Sequence, residues 1–121
     1  MEKALVIDDN RNTADALVEM LDMLGIDALA TYGSSSAMAL LAEQTPSLIL
    51  LDINMPGVDG LEILSYMRRE PRLHKTPVVI ITSDDQPETK IRVSKSGANA
   101  MILKPIPFAK LEAVLKAVGA L

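Results

Sequence analysis

Short apolar runs alternate with stretches of helical period along the whole chain. The runs are Ala4 to Ile7, Ala28 to Thr31, Leu48 to Leu51, Val78 to Ile81 and Ala100 to Leu103. Stretches this short suit strands rather than helices, and their lack of polar alternation suits strands covered on both faces of a parallel sheet. Each is followed by a helical pattern. The first helix carries Ala14, Leu17, Val18, Leu21 and Leu24 at three- and four-residue spacing and stops at Gly25, a residue that tolerates the left-handed conformation after a helix end. The last repeats the pattern with Phe108, Leu111, Leu115 and Val118, with Pro107 in its first turn. Ser34 to Ser36 are expected to cap the second helix, Asp59 or Gly60 to open the third, Pro87 to lie in the first turn of the fourth, and Gly97 to end it. Ile91 and Val93 give the fourth only a thin apolar stripe among Lys90, Arg92 and Lys95, which predicts an exposed, mobile element. The alternation predicts a doubly wound α/β fold, a flavodoxin-like five-stranded parallel sheet of order 2-1-3-4-5 with right-handed crossovers. Ligands of such sheets bind at the carboxyl ends of the strands, where the order reverses.

The length, 121 residues, suits a single domain spanning 1–121. No apolar run approaches the roughly 20 residues needed to cross a bilayer, and no signal peptide is evident, so a cytoplasmic location without membrane contact is expected. Cysteine is absent, which excludes disulfides, thiolate metal sites and cysteine nucleophiles. Twelve basic against sixteen acidic side chains give a net charge of −4, and Tyr32, Tyr66 and Phe108 are the only aromatics. That balance argues against direct nucleic-acid binding.

The chemistry collects at the strand ends. Asp8 and Asp9 follow the first strand, Asp52 the third, Thr82 and Ser83 the fourth, and Lys104 with Pro105 the fifth. Two unit charges about 4 Å apart repel by roughly 4 kcal/mol at an effective dielectric near 20, so three converging carboxylates call for a cation. A hard ion with oxygen ligands fits, Mg²⁺ above all, with Mn²⁺ as an alternative. Taken singly, each Asp reads as a turn former or cap, Thr82 as a loop hydroxyl, Lys104 as a solvated charge and Pro105 as loop punctuation. Jointly, acids, hydroxyl and ammonium are the parts that hold and transfer a phosphoryl group.

The segments Val6-Ile7-Asp8-Asp9-Asn10, Leu50-Leu51-Asp52-Ile53-Asn54-Met55-Pro56-Gly57-Val58-Asp59-Gly60, Ile80-Ile81-Thr82-Ser83 and Leu103-Lys104-Pro105 resemble, in residue type and spacing, the response-regulator receiver domains of two-component signalling, a CheY-like family. The resemblance runs over essentially the whole chain. It implies a phosphoacceptor signalling domain rather than an enzyme: Asp52 takes a phosphoryl group from a phosphohistidine, and Asp8, Asp9, Asp52 and the backbone carbonyl of Asn54 hold Mg²⁺. It further implies that Thr82 turns toward the phosphoryl oxygens, that Lys104 pairs with Asp52 and then with the phosphate, and that the Lys104–Pro105 bond is cis. The implied partners are a sensor histidine kinase or histidine phosphotransfer protein, and a downstream protein target or a C-terminal effector domain. Since Asp52 must be ionised to attack, and Mg²⁺ and Lys104 both favour its charge, a depressed basicity is expected there.

The chain departs from the family at Met101, where an aromatic residue often stands three positions before the lysine; packing and signal coupling are both open to it. Ile106 stands where many members have phenylalanine. Asn54 and Asp84 occupy positions that tune acyl-phosphate lifetime in the family. Asp84 could orient a water, repel a phosphodonor or cap the fourth helix. His74 and the basic cluster Arg68, Arg69, Arg72 and Lys75 read as solvated, and Met20, Met23, Met38 and Met67 as packing residues.

Three competing readings are weaker. A haloacid-dehalogenase-like phosphatase would need a second acid where Asn54 stands, and no cap insertion is present. A flavin or nucleotide module would need a glycine-rich loop after the first strand, where Asp8 and Asp9 lie. A receiver-like scaffold that is never phosphorylated gives no reason for every chemical position to be filled.

Overall fold

The computed structural model describes residues 3–121. Five strands, β1 (Ala4–Ile7), β2 (Ala28–Thr31), β3 (Leu48–Asp52), β4 (Val78–Thr82) and β5 (Ala100–Leu103), alternate with five helices, α1 (Arg11–Met23), α2 (Ser34–Glu43), α3 (Gly60–Arg69), α4 (Pro87–Ser94) and α5 (Phe108–Ala117). All pairings are parallel and the order is β2-β1-β3-β4-β5, as the alternation of runs predicts. The fold is the flavodoxin-like doubly wound sheet.

Successive side chains of a strand point to opposite faces, and the core divides accordingly. Leu5, Ile7, Ile49, Leu51, Val78 and Ile80 face α2, α3 and α4, packing with Ala37, Leu41, Ile63, Leu64, Met67 and Val93. Ala4, Val6, Leu48, Leu50, Val79, Ile81 and Ile102 face α1 and α5, packing with Ala14, Leu17, Leu21, Leu111 and Leu115. Each fully buried aliphatic side chain contributes about 1.5–3 kcal/mol, so these two layers hold the strand ends in place. β1, β3 and β4 are buried along their length. The edge strands β2 and β5 are only partly covered, because an edge strand has a neighbour on one side alone.

Several local expectations change. The N-cap of α2 is Gly33, with no side-chain cap bond, and Ser34 to Ser36 lie inside the first turn. Ser36 instead donates to the Gly33 carbonyl at 3.2 Å, and Ser34 Oγ accepts from the Val58 N–H at 3.4 Å. Asp59 caps α3, accepting from the Leu61 N–H, while Pro107 stands one residue outside α5 as its N-cap. Gly25 and Gly97 take positive φ just past α1 and α4.

The basic cluster is only partly a solvated face. The Arg68 guanidinium donates to the carbonyls of Gly97, Leu73, His74 and Thr76 and to Asn99 Oδ1, tying α3 to the loops that precede β4 and β5. Arg72 likewise donates to the carbonyls of Gln44 and Leu41. These arginines satisfy backbone acceptors that the loops leave unpaired. Met67 is buried in the core and Met20 and Met38 pack partly against it, but Met23 is 68% exposed, since it falls on the outer side of the last turn of α1.

Candidate functional site

The register of the sheet brings the polar groups to one edge. Ile7 pairs with Leu51, so Asp8 and Asp52 leave adjacent strands side by side. Thr82 pairs with Leu103, and the Lys104 N–H donates to the Thr82 carbonyl at 2.8 Å, which sets Lys104 beside the end of β4. Asp52 and Thr82, expected just beyond their strands, are the last residues of β3 and β4.

Asp8 is fully buried, Asp52 nearly so, and Asp9 is exposed at the rim. Asp8 Oδ1 accepts from the Asn10 N–H at 2.9 Å, and Asn10 Oδ1 caps α1 through the Thr13 N–H. Asp52 Oδ1 accepts from the Asn54 N–H at 3.1 Å. The Lys104 ammonium lies 2.8 Å from Asp8 Oδ2 and 3.5 Å from Asp52 Oδ2. It is thus closer to Asp8 than to Asp52, the carboxylate that the resemblance pairs it with. The contact with Asp8 is a charge pair out of line for a directed hydrogen bond, and among the described residues no donor is aligned on that buried oxygen.

One ammonium does not balance this group. Asp8, Asp9 and Asp52 each offer an oxygen within 4.8 Å of the others. At that separation each like-charged pair repels by about 3 kcal/mol at an effective dielectric of 20. Burial pushes the Asp52 carboxyl up to about 6; the Asn54 N–H and Lys104 oppose the rise, while the charge of Asp8 adds to it. Without a metal, burial beside a second carboxylate outweighs an ammonium at 3.5 Å, so Lys104 by itself does not give the depression expected with Mg²⁺ bound. Burial works against the Lys104 charge, but the two acids hold its pKa above the ordinary lysine value. An excess of carboxylate oxygens, one of them buried without an aligned donor, suits a hard divalent cation, and the residues present fit Mg²⁺.

The hydroxyl side of the site is organised by neighbours two residues along the chain. Thr82 is fully buried, and its Oγ1 accepts from Asn54 Nδ2 at 3.2 Å and from the Asp84 N–H at 3.1 Å. The Asp84 carboxylate accepts from Thr89 Oγ1 at 2.6 Å and from the Gln86 N–H at 3.0 Å, and these bonds hold its pKa below the usual value. Asp84 is thereby turned toward the start of α4, but the N-cap of that helix is Gln86, and Asp84 bonds the Gln86 N–H and the Thr89 side chain rather than a helix N–H. Ser83 is exposed on an open groove of about 500 Å³ that Asn12, Lys104 and Pro105 also line. The Lys104–Pro105 bond is cis.

Asp8, Asp9, Asp52, Asn54, Thr82 and Lys104 thus share one site, with Ser83 and Pro105 on its rim. Met101 lies apart: it is half-buried, pairs with Ile80 and packs on the core beneath α3 and α4. The bond from Asn54 to Thr82, which links the loop after β3 to the end of β4, has no local signature in the sequence.

Comparison with known proteins agrees with this geometry. The family model described as "Response regulator receiver domain" matches residues 4–116, and the chain belongs to that family. The chemotaxis response regulator CheY4 of Vibrio cholerae is 25% identical with a TM-score of 0.88, over 98% of each chain. The receiver domain of a signal transduction histidine kinase from Syntrophus aciditrophicus is 25% identical with a TM-score of 0.87, over 98% of this chain and 89% of that one. The receiver domain of the Francisella response regulator 1452 is 28% identical with a TM-score of 0.85, over 98% of this chain and 96% of that one. No helix among the described residues is long and apolar enough to cross a membrane.

Proposed function

We propose that this receiver domain accepts a phosphoryl group on Asp52 from the phosphohistidine of a sensor histidine kinase or a histidine phosphotransfer protein, and that it acts in the cytoplasm on a downstream protein or a linked effector domain. The observation that carries this reading is a nearly buried Asp52 carboxylate that shares the Lys104 ammonium with Asp8, with the Thr82 hydroxyl at the same edge.

In the transfer, an Asp52 carboxylate oxygen attacks phosphorus and the P–N bond of the donor breaks. The electron pair stays on the imidazole nitrogen, which takes up a proton as it leaves, and the product is an acyl phosphate. Lys104, already between the two acids, is within reach to pair with the phosphoryl oxygens. Asp8, Asp9, Asp52 and the Asn54 carbonyl are the groups that would hold Mg²⁺, or Mn²⁺, which offsets charge on the attacking carboxylate and the phosphoryl oxygens. Thr82 accepts two hydrogen bonds, which leaves its own proton for a phosphoryl oxygen. The domain is a phosphoacceptor and does not turn over a separate substrate.

The test is borohydride reduction after incubation with acetyl phosphate and Mg²⁺. An acyl phosphate at Asp52 is reduced to homoserine, which peptide mass analysis locates; reduction at any other aspartate, or at none, contradicts the assignment.

A further inference from the structure

Thr82 is joined to α4 by hydrogen bonds that do not involve Met101. The Asp84 N–H donates to Thr82 Oγ1 at 3.1 Å, and Asp84 Oδ2 accepts from Thr89 Oγ1 at 2.6 Å. Thr89 is 5% exposed and sits at the start of α4. The other attachments of α4 are sparse. Val93 is its one buried apolar side chain, Ile91 is 53% exposed, and the ion pair from Arg92 to Asp59 is at the surface, where such pairs contribute little. Hydrogen bonds to an ionised carboxylate are among the stronger ones, so the Asp84–Thr89 pair is a principal tie of this helix.

We propose that Asp84 and Thr89 form a latch through which the bonding state of Thr82 sets the position of the N-terminal half of α4, so that this half-helix, and not Met101, presents the signal. The inference rests on the reading of Asp52 as phosphoacceptor for the event that opens the latch. The Thr82 oxygen has two lone pairs, and Asn54 and Asp84 occupy both. When the hydroxyl turns to donate to a phosphoryl oxygen its lone pairs turn with it, and the Asp84 N–H loses its acceptor. Asp84 then shifts, and Thr89 follows through the 2.6 Å bond. Two states of α4 are all that is required, and the bonding of Thr82 biases the balance between them. Met101 carries neither a ring nor a hydroxyl; it packs against the core and lines a groove with Lys90, Val93 and Ser94, away from the Thr82–Asp84–Thr89 bonds.

The test is amide hydrogen exchange at Lys90 and Ile91, whose N–H groups close the first turns of α4, with Thr89→Val to remove the hydroxyl at nearly constant shape and Thr89→Ser to keep it. Without phosphodonor, Thr89→Val and Thr82→Val each raise α4 exchange by about tenfold, the factor set by a lost hydrogen bond to a charged group or its relay. The double variant rises no further than the larger single effect, and Thr89→Ser behaves as wild type. With acetyl phosphate and Mg²⁺, wild type gains α4 exchange, whereas Thr89→Val takes up the same phosphoryl mass with no further gain. Additive single effects, or a full phosphorylation-dependent gain in Thr89→Val, overturn the latch. Failure of wild type to take up a phosphoryl group sinks the Asp52 reading alone, because the cycle between Thr82 and Thr89 still decides whether the two residues are coupled.

Discussion

Replacing Asp52 by asparagine should stabilise the metal-free protein, although it removes the proposed chemistry. Burial and the neighbouring Asp8 push the Asp52 carboxyl from 3.8 up to about 6. In an unfolded chain the group ionises near its ordinary value, so the folded state binds its proton more tightly between these two pH values. Stability from this group is therefore lost as pH rises from about 4 to above 6. The two-unit gap, at about 1.4 kcal/mol per unit, makes the ionised carboxylate cost about 3 kcal/mol at pH 8. A neutral amide of the same shape keeps an acceptor for the Asn54 N–H and escapes that cost. In urea denaturation with a chelator present, Asp52→Asn should gain about 3 kcal/mol over wild type at pH 8 and roughly half of that at pH 5, where the folded carboxyl is already mostly protonated. Saturating Mg²⁺ should narrow the gap by stabilising wild type more than the variant. An unchanged or lowered stability of Asp52→Asn at pH 8, or a gain that does not shrink on acidification, would refute this account of the site's electrostatics.

Three further outcomes follow from other parts of the structure. A proton and a divalent cation compete for Asp52, so calorimetric titration should show Mg²⁺ binding weaker by about tenfold at pH 5 than at pH 7.5, and equal affinity at both would count against Asp52 as a ligand. A Cβ at Gly60 would stand 2.4 Å from the Asp52 carbonyl oxygen and 2.7 Å from Ile53 Cα, both backbone atoms. Gly60→Ala should therefore cost about 2–4 kcal/mol in urea denaturation, whereas Gly33→Ala, which meets nothing within 4 Å, should cost much less. Arg68→Met removes a cation that donates to four carbonyls and to Asn99; a loss of about 2 kcal/mol is expected, against less than about 0.5 for the exposed Lys75→Met.

The fold was readable because its central strands are buried on both faces. Such strands must be continuous apolar runs, and the polar residue that ends each run, Asp8, Asp52 or Thr82, marks the sheet edge where the site lies. The order of those residues along the chain was enough to gather the site. What escaped was decided by partners with no signature of their own. The arginines near the end of α3 look solvated in sequence because their partners are backbone carbonyls, which every residue carries. Ser34 to Ser36 look like caps, but the turn after β2 places the helix boundary at Gly33 and takes Ser34 for a contact with the Val58 N–H. The direction of the Asp52 pKa depends on how deeply it is buried and how close Asp8 lies, and neither is written in residue order. The tie between Asn54 and Thr82 crosses from one strand end to the next and emerges only when the register is known.

The central claim, that Asp52 is the phosphoacceptor, is tested most directly by intact-mass analysis after incubation with acetyl phosphate, comparing wild type and Asp52→Asn with and without Mg²⁺. The account predicts uptake of one phosphoryl group by wild type, dependent on the metal and absent from the variant. Uptake that persists in Asp52→Asn, or no uptake by wild type with Mg²⁺ present, would contradict it.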